Sequence, residues 1–307
     1  MSFPEGAVSS SQPYKYNGKE LDTDRGLNMY DYSARYMDPA LGRFNTMDPM
    51  AEKYYSISPY AYCAGNPVRF FDPNGKEIWI YYDDEDGKRQ QMLYNANMKY
   101  EGDNTFVSAS VNYLNSMYSN GGADIMDVLI GSNNSFNMIN KTPTDNNGNT
   151  LDALQFNETA GGGGDIYAGM LMNSSYSDYV KVEGVSHELF HGFQYEKGQG
   201  GASVFNEVEA MVYSSVIANN WLSNNPDYIG ALSSNGLGNG SASGNLYEQS
   251  FKSLVKDGYS KELFVNTIKT FKTGSNSNAS GGYTKIPLMR NNTQVPLLKK
   301  YNPKLRK

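Results

Sequence analysis

The sequence predicts an α+β chain. A short β-rich lead precedes a domain in which a small sheet packs on one chemistry-bearing helix, with several further helices behind it. Three observations carry that prediction. Through residues 13–75, Tyr and Phe alternate with Asn-Gly, Asp-Pro and Asn-Pro pairs, the pattern of short strands joined by tight turns. Next, Glu77-Ile78-Trp79-Ile80-Tyr81-Tyr82, an acidic turn and residues 89–94 read as a β-hairpin. Beyond the hairpin, apolar residues recur at helical spacing over 105–118, 177–197 and 205–221.

The bulk numbers narrow the function classes. A length of 307 residues suits one large domain or two smaller ones. The net charge of -6 argues against nucleic-acid binding by bulk electrostatics. No apolar run approaches the roughly 18 residues of a membrane span, so none is expected. The single cysteine, Cys63, leaves no internal disulfide and no cysteine-based metal site. Residues 1–12 are Ser/Gly/Pro-rich and read as a disordered leader, without the basic start and apolar core of a signal peptide. Export would then need another route or a larger parent chain.

The elements follow in order. The acidic turn at 83–87 lacks the spacing of a calcium loop and reads as solvated. Residues 105–118 and 123–130 read as helices, and 136–140 and 153–156 as strands around a polar loop. Gly161 to Gly164 lacks the following Lys and Ser/Thr of a phosphate cradle. It reads as a flexible turn into a strand over 165–170. That strand is read either as an edge to which an extended peptide adds, or as ordinary core. Val182, Val185, Leu189 and Phe193 give helix 177–197 one apolar stripe. After helix 205–221, residues 226–232 read as further helical packing and 233–245 as a Gly/Ser/Asn loop. Two amphipathic helices follow over 248–255 and 261–271, then a flexible linker at 273–282. The basic ending, 283–307, reads as a solvated tail.

Both histidines of the chain lie in Val185-Ser186-His187-Glu188-Leu189-Phe190-His191. On a helix, His187 and His191 stand one turn apart on one face, so both imidazoles can bind a single Zn²⁺. Glu188 sits beside the open coordination position, where it can take a proton from a zinc-bound water. The H-E-x-x-H pattern points to a zinc-dependent hydrolase, in the first place a peptidase. A catalytic zinc site needs a third protein ligand. With histidine exhausted and cysteine unusable, that ligand is expected to be a carboxylate. Asn206-Glu207-Val208-Glu209-Ala210 on the next helix offers two.

Two resemblances extend this reading. The order Tyr16-Asn17-Gly18-Lys19-Glu20, Tyr30-Asp31-Tyr32-Ser33-Ala34-Arg35-Tyr36-Met37-Asp38-Pro39, Gly42-Arg43-Phe44, Asp48-Pro49, Gly65-Asn66-Pro67 and Asp72-Pro73-Asn74-Gly75 resembles the C-terminal end of an RHS/YD-repeat core. That family implies a β-repeat shell whose final segment precedes a swappable toxic domain. It implies domains at 13–75 and 76–307, delivery to a target cell by secretion, a protein substrate there and a cognate immunity protein. Some members cut themselves after a leucine at the position held here by Lys76. Asp48 is the candidate if this chain does so.

The second stretch, 187–210, resembles glutamate-type zincins of polymorphic toxins. That likeness implies Glu207 as the third ligand, by alignment on Ala210, with Glu209 as the alternative. Asp165, Asp178 and Glu183 have no motif behind them. Met211 stands where that family often has an acidic supporting residue, so the spare glutamate is a candidate for that task. Tyr195 and Tyr213 are candidates for steadying an oxyanion, with packing as the simpler reading. The competing function is a non-enzymatic RHS-type surface or scaffold fragment with a degenerate effector domain. Neither the oligomeric state nor the cleavage specificity is expressed in these motifs.

Overall fold

The computed structural model describes residues 14–16, 19–23, 26–32, 35–47, 58, 60–62, 78–84, 86–132, 134–145, 147–278, 283–289 and 295–301. Asp48, residues 72–75 and Lys76 lie outside them, and with them the self-cleavage question. The fold is α+β. The chain divides into two compact units, Met1–Lys76 and Glu77–Lys307.

The first unit is an antiparallel meander of β1 (Tyr14–Tyr16), β2 (Lys19–Asp22), β3 (Met29–Asp31), β4 (Tyr36–Asp38) and β5 (Arg43–Phe44), paired in that order. So small a sheet needs a concentrated core, and aromatic rings supply it. Tyr32, Phe44 and Tyr62 meet edge to face at 5.4–5.7 Å between centroids. The Tyr32 hydroxyl donates to that of Tyr62 at 2.8 Å. The Arg35 guanidinium lies 3.7 Å over the Phe44 ring, where the ring's negative face favours a cation.

The second unit is built on a mixed sheet. β6 (Ile78–Asp83) and β7 (Arg89–Tyr94) form the hairpin, in register from Ile78↔Tyr94 to Asp83↔Arg89. Its acidic turn closes on itself, the Asp84 carboxylate accepting from Lys88 N at 2.8 Å and Gln90 Nε2 at 2.6 Å. The chain then crosses over through α1 (Thr105–Met117) and α2 (Ala123–Ile130) to β8 (Ser135–Ile139), parallel to β6. The Asn104 side chain caps α1 by accepting from Val107 N at 3.0 Å. β9 (Gln155–Glu158) and β10 (Gly163–Tyr167) complete the sheet in the order β7-β6-β8-β10-β9.

Gly163 stands at φ +77, and a Cβ there would lie 2.0 Å from the Ser135 carbonyl oxygen. The glycine run is therefore a close-approach device, letting β10 enter beside β8. β10 is an interior strand, so of the two readings of that stretch the core strand holds. Among the described strands, the edge on this side is β9.

Two long helices carry the motifs, α3 (Asp178–Glu196) and α4 (Val204–Ser223). Val182, Val185, Leu189 and Phe193, all fully buried, share one core with Ile78, Ile80, Phe136, Met138 and Ile166 from the strands. Gly192 eases close approach to the sheet, since a Cβ there would meet the Phe136 ring at 3.1 Å. Behind this pair stand α5 (Ala242–Asp257) and α6 (Lys261–Gly274). Ser241 caps α5, which begins earlier than its apolar stripe alone predicts.

Three expectations are corrected. Residues 226–232 are not helical, and Ile229 is wholly exposed. The linker expected from 273 is tied down as far as it is described: Ser275 is buried and bridges to Gly238. The ending is not simply a solvated tail. Val204 N and Phe205 N, amide donors at the start of α4, bond to Pro287 O and Leu288 O at 2.9 Å each. Leu298, first residue of α7 (Leu298–Tyr301), is fully buried. No helix among the described residues is long and apolar enough to cross a membrane.

Candidate metal centre

The site rests on where α3 starts and stops. Ser177 caps its first turn, accepting from Val180 N at 3.4 Å. It ends in a Schellman arrangement at Gly198, φ +71, with Gln199 N bonded to Gln194 O at 2.7 Å and Gly198 N to Tyr195 O at 2.9 Å. The chain turns at once into α4. Asn206 fastens the turn through Nδ2, which donates to Gln199 O and Gly201 O at 2.7 Å each. Ser203 caps α4 by accepting from Asn206 N at 3.1 Å. The first turn of α4 is thereby fixed opposite the motif on α3.

This brings His187, His191 and Glu207 together, with one ligand atom of each within 4.8 Å of the others. The two Nε2 atoms are 3.0 Å apart. Glu207 straddles them, Oε2 lying 3.5 Å from His187 Nε2 and Oε1 3.5 Å from His191 Nε2. Donors about 2.0–2.2 Å from a tetrahedral cation stand roughly 3.4 Å apart. The three side chains stand near that spacing, so the group could hold a metal ion. Their side chains are 14–17 % exposed, which leaves a path from solvent.

The electrostatics agree with the geometry. Burial disfavours the Glu207 carboxylate, but the two imidazoles outweigh it and hold this carboxyl well below its usual range. Burial would lower His191, yet the Glu207 charge and hydrogen bond raise it to about 9. For Glu188 burial wins over the neighbouring imidazoles and pushes its pKa up. Its Oε2 accepts from Phe156 N, on edge strand β9, at 2.7 Å.

Glu209, the alternative ligand, is fully buried on another face of α4, as two residues of helical rotation require. It supports His191 through Gln194. The Gln194 amide nitrogen donates to Asn206 O at 3.1 Å and Glu209 Oε2 at 3.2 Å, both acceptors. Its oxygen is therefore the atom 2.8 Å from His191 Nδ1, which must carry the proton and leave Nε2 free for a metal. The C-terminal segment closes the chain of bonds, Leu298 N donating to Glu209 Oε1 at 3.2 Å. Burial pushes the Glu209 carboxyl up to about 7. The spare glutamate thus takes up the supporting task open at Met211, but through an amide.

The remaining candidates are elsewhere. Asp165 accepts from Asn137 Nδ2, Asp178 from the Tyr113 hydroxyl, and Glu183 from the Ser215 hydroxyl. Tyr213 is buried against Phe190, with ring centroids 4.7 Å apart, and is a packing residue. Tyr195 packs edge-on to Phe156 at 6.5 Å. Gln194 and Phe156 belong to the site but carry no motif, whereas Asn206 opens the run Asn206-Glu207-Val208-Glu209-Ala210 already read on this helix. Gln194 sits three residues after His191 on a buried face.

No protein-family model matches the chain, and no solved structure matches it. It is 48% identical over 75 residues, 24% of its length, to salivary gland surface protein 1 of Aedes aegypti. The matched stretch is 2% of that protein, so the chain spans a small part of the relative it matches.

Proposed function

We propose that the chain is a zinc-dependent metallopeptidase effector carried at the end of an RHS-type core. The observation behind this reading is the convergence of His187, His191 and Glu207. Two imidazoles and a carboxylate form a donor set that suits Zn²⁺ and leaves a coordination position open. Zinc held there would supply carbonyl polarisation and a more acidic water.

The chain's own residues supply the rest. Glu188, made more basic by burial, accepts a proton from the attacking water. As the hydroxyl joins the acyl carbon and the carbon–nitrogen bond breaks, Glu188 returns that proton to the departing amine. Edge strand β9, bonded to Glu188 through Phe156 N, offers backbone partners to an extended peptide. Delivery to a target cell and a cognate immunity protein come from the resemblance of residues 16–75 to RHS cores. The name of the Aedes protein favours a second reading, a surface or scaffold fragment with an inert effector region.

One experiment separates them. The full chain is expressed in a test cell and new protein termini are mapped, with Glu188→Gln as control. The peptidase reading predicts new termini that fall at least about 100-fold in Glu188→Gln while bound zinc is kept. No new termini, or equal cleavage by both proteins, contradicts it.

A further inference from the structure

Edge strand β9 ends in a carboxylate that the reaction above does not use, Glu158. Thr159 N bonds to Gly163 O at 3.2 Å, which fixes which residues of the β9–β10 ladder bond inward. Bonded and non-bonded pairs alternate along antiparallel strands. With Glu158 opposite Gly164 and Phe156 opposite Ile166, the backbone groups of Phe156 and Glu158 therefore turn away from β10. The bond from Phe156 N to Glu188 Oε2 runs in that direction. Side chains two residues apart share a face of the sheet. The Phe156 ring meets that of Tyr195 on α3, with centroids 6.5 Å apart, so Glu158 also lies on the α3 side. A Cβ built on Gly200, in the turn between α3 and α4, would stand 2.6 Å from Glu158 Oε1 and 3.0 Å from the Tyr195 ring. Tyr195 itself is one helical turn beyond His191. Glu158 is exposed, and among the described residues its carboxylate has no hydrogen-bond or ion-pair partner. Lys197, at the end of α3, lies over the Phe193 ring instead, 5.3 Å from its centroid.

We propose that Glu158 determines specificity, selecting peptides that carry lysine or arginine about two residues from the bond that is cut. This rests on the metallopeptidase reading above. A peptide adding to β9 meets Glu188 at the level of Phe156, which sets where the cut falls. Phe156 N is already bonded to Glu188, so the outward groups of these two residues left for the peptide are Phe156 O and both groups of Glu158. The peptide residue opposite Glu158 exchanges both backbone bonds with it, at about 5.5 Å between Cα atoms. Directly opposed side chains lie on one face, so that residue's side chain runs towards the Glu158 carboxylate. A lysine or arginine there gains an opposite charge and a strong acceptor. An aspartate or glutamate there meets a like charge and is disfavoured.

The test is the cleavage profile of the zinc-loaded full chain on a randomised synthetic peptide library, read by mass spectrometry. Residue preferences around the cut are scored within each sample, so that a change in overall rate cancels. Wild type is expected to favour lysine and arginine at one position near the cut by roughly two- to fivefold. Glu158→Gln should abolish that preference, and Glu158→Lys should transfer it to aspartate and glutamate at the same position. Binding should show it too. With Glu188→Gln present to prevent cutting, the preferred peptide should lose the same factor in affinity when its basic residue is replaced by glutamine. It should lose nothing when Glu158→Gln is present as well. A wild-type profile without a basic preference overturns the proposal. So does a basic preference that survives in Glu158→Gln or Glu158→Lys, or an equal loss of affinity in both backgrounds. If wild type binds no zinc or cuts no peptide, the metallopeptidase reading itself fails, an outcome distinct from cutting without preference.

Discussion

Helices α3 and α4 and the C-terminal residues 283–301 contribute to the same centre by opposite routes. The helices carry their chemistry in local order: His187, Glu188 and His191 lie within five residues, and Glu207 is in the first turn of the next helix. The C-terminal segment carries no motif and is basic at its end, yet it holds the start of α4 and a buried carboxylate behind the site. Pro287 O and Leu288 O accept from Val204 N and Phe205 N, and Leu298 N bonds to Glu209 across 89 residues of sequence. Local spacing is enough to single out the two histidines and a helix that offers a carboxylate. What holds them in place depends on contacts between distant parts of the chain, which periodicity does not report.

That contrast can be broken at its strongest point first. Leu298 is fully buried, so Leu298→Ala should lower unfolding free energy by about 2–5 kcal/mol. The check is chemical denaturation of the full chain. A loss under about 0.5 kcal/mol, the range of ordinary surface changes, would return the segment to the status of a solvated tail.

Gln194→Ala tests the link between the two regions. It removes the group that fixes His191 and should weaken zinc binding roughly 10- to 100-fold, read by chelator competition. The helix should survive, because alanine is a strong helix former. Undiminished affinity would mean that the Glu209–Gln194–His191 chain is packing alone.

Proton linkage gives the next effect. His191 is raised to about 9, so at neutral pH a metal must displace its proton. Zinc affinity should therefore rise by up to about tenfold per pH unit towards pH 9 and flatten above it. The sign for stability without metal is opposite. The His191–Glu207 pair stabilises fully below the unfolded histidine value of roughly 6.5, and that stability is lost as pH rises through about 9. Titrations in buffers of different ionisation enthalpy would count the displaced proton. A pH-independent affinity would contradict the pairing.

The smallest expected effect is Tyr301→Ala, which removes the ring lying 4.8 Å from Phe193 at the end of α3. A loss of about 1 kcal/mol in unfolding free energy is expected, with zinc affinity unchanged within a factor of about two.

These contacts explain how far the sequence could be read. The hairpin at 78–94, α1 and α2, and the motif face of α3 were legible because their periodicity and caps are local. The apolar stripe of α3 also marked which of its faces meets the core. Strand order was not legible. The glycine run read as a turn into a strand that was either edge or core; Gly163 admits β10 to the interior, and among the described strands β9 forms the edge. Glu207 and Glu209 were separable only by resemblance, since spacing alone puts them on different faces without saying which face meets α3. Leu298 was invisible as a supporting residue because its partner, Glu209, is remote in sequence.

The central claim is a metal centre formed by His187, His191 and Glu207. Its most direct test is elemental analysis of the purified full chain beside His187→Ala after equal exposure to zinc and gel filtration. One zinc per wild-type chain and almost none in His187→Ala is the predicted result. Zinc absent from wild type, or present equally in both, would contradict the account.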